Sequence, residues 1–422
     1  MRSFAMIPGA ARWKNAMRKS SAGTDHIVHA RPENCIRLSD TIGAVAFETL
    51  PFLGGRSVEF GFSLPGRGPL ATPDTVLRMA TKADALRYDS VFVTDHVVLP
   101  TSMARSVYPY APTGQLAGGA AQDYLEPFAL LGWLAHATTR IRLGTSVLVV
   151  PYRNPLVTAK MLATLDRLSQ GRMILGAGVG WLREEFEALA APPFEARGAV
   201  TDEYLRLMRL TWTSDPVRFE GTYYRLSAVH AQPKPAQKAG IPIWIGGHTD
   251  AALKRAGTLG DGWHPIGLRP PALLYPDEYA AKAKQVHAWA QRAGRDPKAV
   301  TLTFRCPMEV RSKRQKAAAG DRPLFQGTAE EVAADIRTYA ALGVSHFVFD
   351  PTHQESGPVL ANIERFADEV RPKVVRAETV PPTRRAVTSP KVVRAETVPP
   401  TRRAVTRSTI VRASGRNRRT RA

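Results

Sequence analysis

The first feature of this chain with chemical potential is an aspartate–histidine pair. Thr94-Asp95-His96 closes an apolar run that starts at Ser90. Because histidine changes its charge near neutral pH, His96 at the open end of a strand could act as an acid, a base or a hydrogen-bond donor. The pair could instead form a structural hydrogen bond that fixes the following loop. Both hypotheses stay open from the residues alone.

Two glycine-rich segments suggest a second kind of chemistry, the binding of an anion. GAGVGW at 176–181 and IWIGGH at 243–248 each follow an apolar run and precede a helical pattern. Glycines there let backbone amides approach a phosphate at a helix N-terminus, where the helix dipole favours negative charge. The first segment is not a dinucleotide fingerprint, because Trp181 stands where the third glycine would be. Tight packing between strand and helix, or a plain turn, explains the glycines equally well.

Several other function classes find no support in the sequence. It contains no HExxH and no GxSxG, which argues against a zinc protease and a serine hydrolase of that type. The two cysteines, Cys35 and Cys306, are too few and too distant for a disulfide framework, which fits a reducing cytoplasm. No apolar run approaches the length of a membrane helix. We therefore expect a cytoplasmic protein without a metal site.

The elements that position these motifs alternate between strands and helices. Eight apolar, strand-like runs occur, and amphipathic stretches follow most of them. Thr72 before a proline and Thr328 three residues before Glu331 are typical helix starts. The predicted strands are 58–64, 90–95, 141–147, 172–178, 241–246, 262–265, 300–305 and 345–350, and the predicted helices are 72–86, 124–138, 155–168, 181–189, 250–259, 277–293, 328–341 and 358–370.

Eight such repeats predict an α/β fold, a (β/α)₈ TIM barrel over residues 57–370. Two insertions interrupt the alternation, after strands 2 and 4. The first spans 97–123; the second spans 190–235 and contains a helix at 197–212 and a hairpin near Glu220-Gly221. Long loops after strand carboxyl ends are where barrels form substrate sites.

The two ends of the chain carry most of its positive charge. The net charge is +21; residues 371–422 hold fifteen Lys/Arg against two Glu, and residues 1–56 hold eight basic and four acidic residues. The tail repeats PKVVRAETVPPTRRAVT at 372–388 and 390–406. We expect both ends to be disordered extensions. The tail lacks aromatic residues for base stacking, so specific nucleic-acid binding is not expected.

Taken in order, the motifs resemble those of luciferase-like flavin and deazaflavin oxidoreductases. The resemblance covers residues 58–370 and omits both ends. It is carried by Asp95-His96, IRLGTSVL at 141–148, PYRNP at 151–155, ATLD at 163–166, GR at 171–172, LGAGVGW at 175–181, PIWIGG at 242–247 and GDGW at 260–263.

The resemblance implies a cofactor lying across the barrel mouth. A non-proline cis peptide near Ser146-Val147 would back the ring, the phosphate would lie between 178–181 and 246–248, and His96 would stand near the reactive ring edge as the catalytic residue. The implied cofactor-binding residues are Asp95, Thr145, Ser146, Val147, Asn154, Gly178, Val179, Gly180, Trp181, Gly246, Gly247 and His248.

The function that follows is hydride transfer through coenzyme F-420 to or from a small organic molecule. Asp95-His96 and the PYRNP segment look closer to the deazaflavin group than to the flavin group. An FMN-dependent monooxygenase supplied by a partner flavin reductase is the alternative, and a non-catalytic flavin-binding protein is the alternative from another class. The resemblance also implies a homodimer. The two insertions contain no motif that identifies the substrate.

Overall fold

The computed structural model describes residues 58–314 and 322–378, and within them a closed parallel barrel. Eight strands follow one another in the order β1, β2, β3, β5, β8, β9, β10 and β13, and β13 pairs with β1 to close the ring. The prediction of a TIM barrel is confirmed. The strands are β1 (Glu59–Ser63), β2 (Ser90–Val93), β3 (Arg142–Thr145), β4 (Leu148–Val149), β5 (Met173–Gly178), β6 (Val217–Glu220), β7 (Arg225–Val229), β8 (Ile243–Gly246), β9 (Gly262–His264), β10 (Thr301–Pro307), β11 (Glu309–Val310), β12 (Gln326–Gly327) and β13 (Val344–Asp350).

The helices surround the barrel and start where the sequence predicts. Thr72 caps the first through its side chain, and Thr328 with Glu331 forms the expected capping box. None of the helices in the described ranges combines the length and the hydropathy of a membrane-spanning segment. They are α1 (Pro73–Ala85), α2 (Pro127–Ala137), α3 (Pro155–Leu168), α4 (Arg183–Ala188), α5 (Arg197–Thr213), α6 (Asp250–Leu259), α7 (Pro276–Arg292), α8 (Ala329–Ala341), α9 (Ser356–Arg365) and α10 (Arg371–Glu378).

Both faces of the barrel strands are buried. Inside the barrel, Phe92, Ile174, Trp244 and Val348 form a separate apolar cluster and are at most 3% exposed. Outside it, the strands pack against the ring of helices through a continuous core. Burial on both faces is why the predicted strands read as unbroken apolar runs rather than as alternating patterns.

The second insertion differs from its prediction in one respect. Helix α5, predicted to belong to the insertion, packs between α3 and α6 and so occupies the fourth place in the outer ring. The helix predicted for that place, α4, has only six residues and lies at the barrel mouth. Its length cannot span the side of a strand, whereas α5 buries a long apolar face. The predicted hairpin is present as β6 and β7.

The carboxyl-terminal boundary also needs a correction. We predicted a disordered tail from residue 371, but α10 continues the chain to Glu378. Val374 is 2% exposed in the core, and the Arg371 guanidinium lies over the Tyr88 ring with its carbon 4.8 Å from the ring centre. Apolar side chains are sparse in this segment, which is why composition alone suggested disorder. The predicted extensions at 1–56 and after Glu378 lie outside the described residues.

Candidate active site

The carboxyl ends of the eight strands meet at one rim, and the polar residues predicted to do chemistry follow them. Between β3 and β4 the Ser146–Val147 peptide bond is cis. This is the position that the sequence resemblance implied. Strand β3, before the cis bond, pairs with β2, and strand β4, after it, pairs with β5. The cis bond therefore lies at the rim of the barrel mouth.

A chain of hydrogen bonds supports this peptide from inside the barrel. The Thr303 hydroxyl donates to the Trp263 carbonyl and therefore accepts from His264 Nδ1–H at 2.7 Å. That leaves His264 Nε2 to accept from the Ser146 hydroxyl at 2.8 Å. Burial, reinforced by the charge of Arg305, lowers the pKa of His264 to about 3. His264 is therefore a neutral ring of defined tautomer that orients Ser146.

Beside this chain, Arg305 holds the cis peptide from the other side. Its guanidinium donates to both the carbonyl oxygen and the hydroxyl of Ser146 and to the Ser63 hydroxyl. Its Nε donates to Asp350 Oδ1 at 2.8 Å, and Arg269 donates to the other oxygen of the same carboxylate. Burial by itself raises the pKa of Asp350, but the two arginine charges outweigh it and keep that pKa below its ordinary value.

His96 lies at the same mouth in a pair with a buried carboxylate. Its Nδ1 is 2.5 Å from Glu185 Oε2, and both side chains are almost completely buried. Because an ionised carboxylate only accepts hydrogen bonds, Nδ1 carries the proton. Nε2 is then the nitrogen that can exchange a proton with another molecule. The His96 ring also packs in T-shaped arrangements against the rings of Tyr124 and Trp181.

Glu185 was missed by the sequence analysis, although it links three parts of the site. Its Oε2 also accepts from the Tyr152 hydroxyl at 2.9 Å, and its Oε1 accepts from the Val97 and Val98 N–H groups. It thus holds His96 and the start of the first insertion together. A signal was present in the sequence, because Glu185 shares the apolar face of α4 with Leu182 and Leu189 at helical spacing.

The carboxylate of Asp95, the residue that precedes His96, binds other groups and not the His96 ring. Both of its oxygens bind the Arg153 guanidinium at 2.8 Å, and one also accepts from Val149 N–H. Burial raises the pKa of Asp95, an effect that Arg153 opposes. The carboxylate therefore joins the end of β2 to the turn after β4, and its predicted contact with a cofactor is untested.

Two other predicted polar residues also have partners within the protein. The Thr145 hydroxyl donates to the Gly176 carbonyl at 2.7 Å, between β3 and β5. Asn154 caps α3, accepting from Leu156 and Val157 N–H groups, and it is exposed. Both contacts are structural, and for both residues cofactor binding remains a prediction.

The glycines divide into two groups. A Cβ added at Gly178 or Gly246 would lie 2.4 or 2.7 Å from a methyl carbon of Val147. Close packing against Val147 therefore explains both glycines. Gly180 and Gly247 differ, because their φ angles are +85° and +88°, in the left-handed region. A Cβ at Gly247 would meet only the Ala252 Cβ, at 3.4 Å, which leaves its surface open to a ligand.

The accessible backbone at Gly247 lies just before the start of helix α6. Thr249 caps this helix through its side chain, and His248 precedes it; burial lowers the pKa of His248. The Lys282 ammonium donates to the His248 carbonyl and so lies beside the helix start. On the neighbouring strand, Val179, Gly180 and Trp181 connect β5 to α4. The structure thus brings His96, Ser146, Val147 and Trp181 to one rim, with the Gly247–His248 segment on the same edge.

Comparison with known proteins follows this geometry. The family model of luciferase-like monooxygenases matches residues 58–325 of the chain. A relative from Amycolatopsis mediterranei, named F-420-dependent glucose-6-phosphate dehydrogenase, is 28% identical over 342 residues, covering 72% of this chain and 95% of that protein.

Two solved structures share the fold. An F-420-dependent secondary alcohol dehydrogenase, in complex with an F-420–acetone adduct, is 20% identical with a TM-score of 0.61. The oxygenating constituent of 3,6-diketocamphane monooxygenase from Pseudomonas putida, in complex with FMN, is 16% identical with a TM-score of 0.58. Each comparison covers 75% of this chain and 99% of the other.

Proposed function

Because the chain belongs to the luciferase-like monooxygenase family, we propose that it is an oxidoreductase that transfers hydride through coenzyme F-420 at the barrel mouth. The observation that carries the proposal is the His96–Glu185 pair, which stands beside the cis peptide with one ring nitrogen left for proton exchange. The relative from Amycolatopsis mediterranei, which matches along 95% of its own length, supports the deazaflavin assignment by its name.

The residues at the mouth fit a phosphorylated ring cofactor. The open, left-handed Gly247 and the start of α6 provide backbone N–H groups for a phosphate, and the Lys282 ammonium adds a positive charge nearby. The negative charge of Asp250, in the first turn of α6, offsets the positive charge of Lys282. Hydrogen bonds from backbone N–H groups, rather than net charge, must therefore hold the phosphate. The Ser146–Val147 peptide, with Gly180 and Trp181 after the adjacent strand β5, provides a rigid surface for the ring.

Coenzyme F-420, when bound, supplies the site that donates or accepts the hydride. The chain's own part is to hold and move a proton. Glu185 fixes the Nδ1–H tautomer of His96, so Nε2 takes the proton when an alcohol is oxidised and returns it in the reverse direction. Tyr124 and Trp181 pack against the His96 ring and help to hold it in place.

The cofactor assignment is tested by titrating the purified full-length protein with coenzyme F-420 and with FMN. We expect tighter binding of coenzyme F-420, read from its fluorescence. Micromolar FMN affinity without measurable deazaflavin binding would support the alternative, an FMN-dependent monooxygenase supplied by a partner reductase. Bound cofactor that no donor reduces would support a non-catalytic flavin-binding protein.

The role of His96 is tested separately by single-turnover kinetics. In His96→Ala, cofactor affinity should stay within a few-fold while hydride transfer slows by about 10²–10⁴, the usual effect of a positioned acid or base. His287→Ala, on the outer helix α7, serves as the control and should leave the rate unchanged. If His96 only holds the loop, binding and melting temperature fall together and the rate at saturation stays near normal.

The outer surface of α2 and α3 supports the prediction of a homodimer. Helix α2 contains no Asp, Glu, Lys or Arg. Trp133 on α2 is 40% exposed, and Val157 and Met161 on α3 are 57% and 38% exposed. An apolar surface of this kind is complementary to itself, as a twofold interface requires.

The interface is tested by sedimentation of the wild type and two variants. Trp133→Glu should shift the protein to a monomer, whereas Tyr275→Glu, at another exposed aromatic residue, should not. A monomeric wild type would overturn the proposal.

A further inference from the structure

Two guanidinium groups share one carboxylate at the barrel mouth. Arg305 Nε and Arg269 Nη2 lie 2.8 and 2.9 Å from different oxygens of Asp350. Asp350 and Arg305 are buried, at 3% and 8% exposure. We call these three residues the arginine cluster. Its formal charge is +1, because two cations face a single anion.

Among the described residues, Asp350 is the one carboxylate that either guanidinium group binds. The remaining described contacts of the Arg305 side chain go to Ser146 and Ser63, which are neutral. His264, hydrogen-bonded to the same Ser146 hydroxyl, is a neutral ring at physiological pH. Glu185, another buried carboxylate at the mouth, binds His96, Tyr152 and two backbone N–H groups and neither of the two arginines. One positive charge of the cluster is therefore left for an anion from outside the protein, which would displace water from Arg269.

Arg269 is the member that a ligand can reach. It lies between β9 and α7, and its side chain is 36% exposed. Its Nε and Nη2 bind Asp350, while among the described residues no hydrogen bond acceptor binds its Nη1. Asp350, and to a smaller extent Tyr108 from the first insertion, raise the pKa of Arg269. The Tyr108 ring contacts Trp181 at 5.1 Å between centres. Trp181 in turn contacts His96. Tyr108 and Trp181 therefore connect Arg269 with His96 along the mouth of the barrel.

We propose that the arginine cluster binds a carboxylate or phosphate group of the organic substrate, so that this enzyme acts on anionic molecules. The inference rests on the proposed function, because it assigns the substrate side of that site. Arg269 would form the new ion pair through Nη1, and Asp350 would keep both guanidinium groups in position. The first insertion, through Tyr108 and Tyr110, would cover the bound group.

The test uses calorimetric titration of the full-length protein with inorganic phosphate and with succinate, and with succinamide as a neutral isostere. Each titration is made with the free protein and with protein loaded with coenzyme F-420. We expect both anions, but not succinamide, to bind in both states. Arg269→Gln should weaken the anions at least tenfold, and Arg269→Lys should weaken them less because it keeps the charge.

Arg209→Gln is the matched control. Arg209 is also paired with one aspartate, Asp261, and its side chain is 34% exposed, but Asp261 precedes β9 and lies at the opposite end of the barrel. It should leave anion affinity unchanged. Anion affinity that is equal in wild type and Arg269→Gln, or absent from both, overturns the proposal.

Loss of anion binding whenever coenzyme F-420 is loaded would overturn it in another way, because the cofactor's own anionic group would then occupy the cluster. If coenzyme F-420 does not bind at all, the proposed function fails, yet the titration of the free protein still decides whether Arg269 binds anions.

Discussion

The Glu185→Gln substitution should distinguish two roles of this carboxylate. One role is to hold the start of the first insertion, and the other is to fix the position of the proton on His96. The carboxylate accepts from His96 and Tyr152 on one oxygen and from Val97 and Val98 on the other. Glutamine has one accepting oxygen and one donating NH₂ group. If its oxygen faces the two backbone N–H groups, its NH₂ group faces His96 and Tyr152, which must both become acceptors.

The size of the effect follows from these contacts. Hydrogen bonds to a charged group contribute about 1.5–3 kcal/mol each, and neutral ones about 0.5–1.5 kcal/mol. Glutamine keeps two contacts as neutral bonds and rearranges two, so we expect a loss of about 2–4 kcal/mol in the free energy of unfolding. For a domain of this size the melting temperature should fall by roughly 3–6 °C.

The same substitution should also slow the chemical step. When the glutamine NH₂ group donates to His96 Nδ1, the proton of the neutral ring moves to Nε2. That nitrogen can then no longer accept a proton from the substrate. Oxidation of an alcohol in a single turnover should slow by about 10²–10³, within the usual contribution of a positioned base, while the affinity for coenzyme F-420 stays within a few-fold.

Glu184→Gln is the control, since Glu184 lies on the same helix and holds the same loop. It accepts from the Arg105 N–H and the Ser106 hydroxyl but does not touch His96. We expect a smaller fall in melting temperature and a normal rate, measured by stopped-flow absorbance of the cofactor. Equal rates in Glu184→Gln and Glu185→Gln would refute the tautomer argument, because loop disturbance alone would then explain both.

Three further predictions concern the backbone at Gly247, helix α10 and the dependence of stability on pH. Gly247→Val should weaken cofactor binding at least tenfold in fluorescence titration, whereas Gly294→Val, also at a positive φ but with open space around it, should affect only stability. Truncation after Glu378 should leave the melting temperature unchanged, but Val374→Ala, in the buried part of α10, should cost about 1–3 kcal/mol in urea unfolding. The pKa of His264 is lowered to about 3 in the folded state, so the unfolded chain binds the extra proton and the free energy of unfolding should fall from about pH 6.5 towards pH 3; an equally steep fall in His264→Gln would contradict this.

Local patterns were sufficient for the elements of the barrel. Strands with two buried faces must be continuous apolar runs, and helix starts are recognisable when a capping side chain lies three residues from its partner, as for Thr328 and Glu331. The same locality explains the errors. Helix α5 was assigned to an insertion because the choice between α4 and α5 depends on which helix fits the gap between α3 and α6, a property of the assembled ring.

The site divides along the same line. The alternation of strand and helix patterns predicts the barrel, because each pattern depends on residues that are neighbours in the chain. The position of the cis peptide at Ser146–Val147 is implied by the resemblance of the ordered motifs to luciferase-like oxidoreductases. The folded chain is needed to show that His96 pairs with Glu185 rather than with Asp95, and that Arg269 and Arg305 share Asp350. These partners come from different strands and loops, up to 89 residues apart for the His96–Glu185 pair, and closure of the barrel is what brings them within hydrogen-bonding distance.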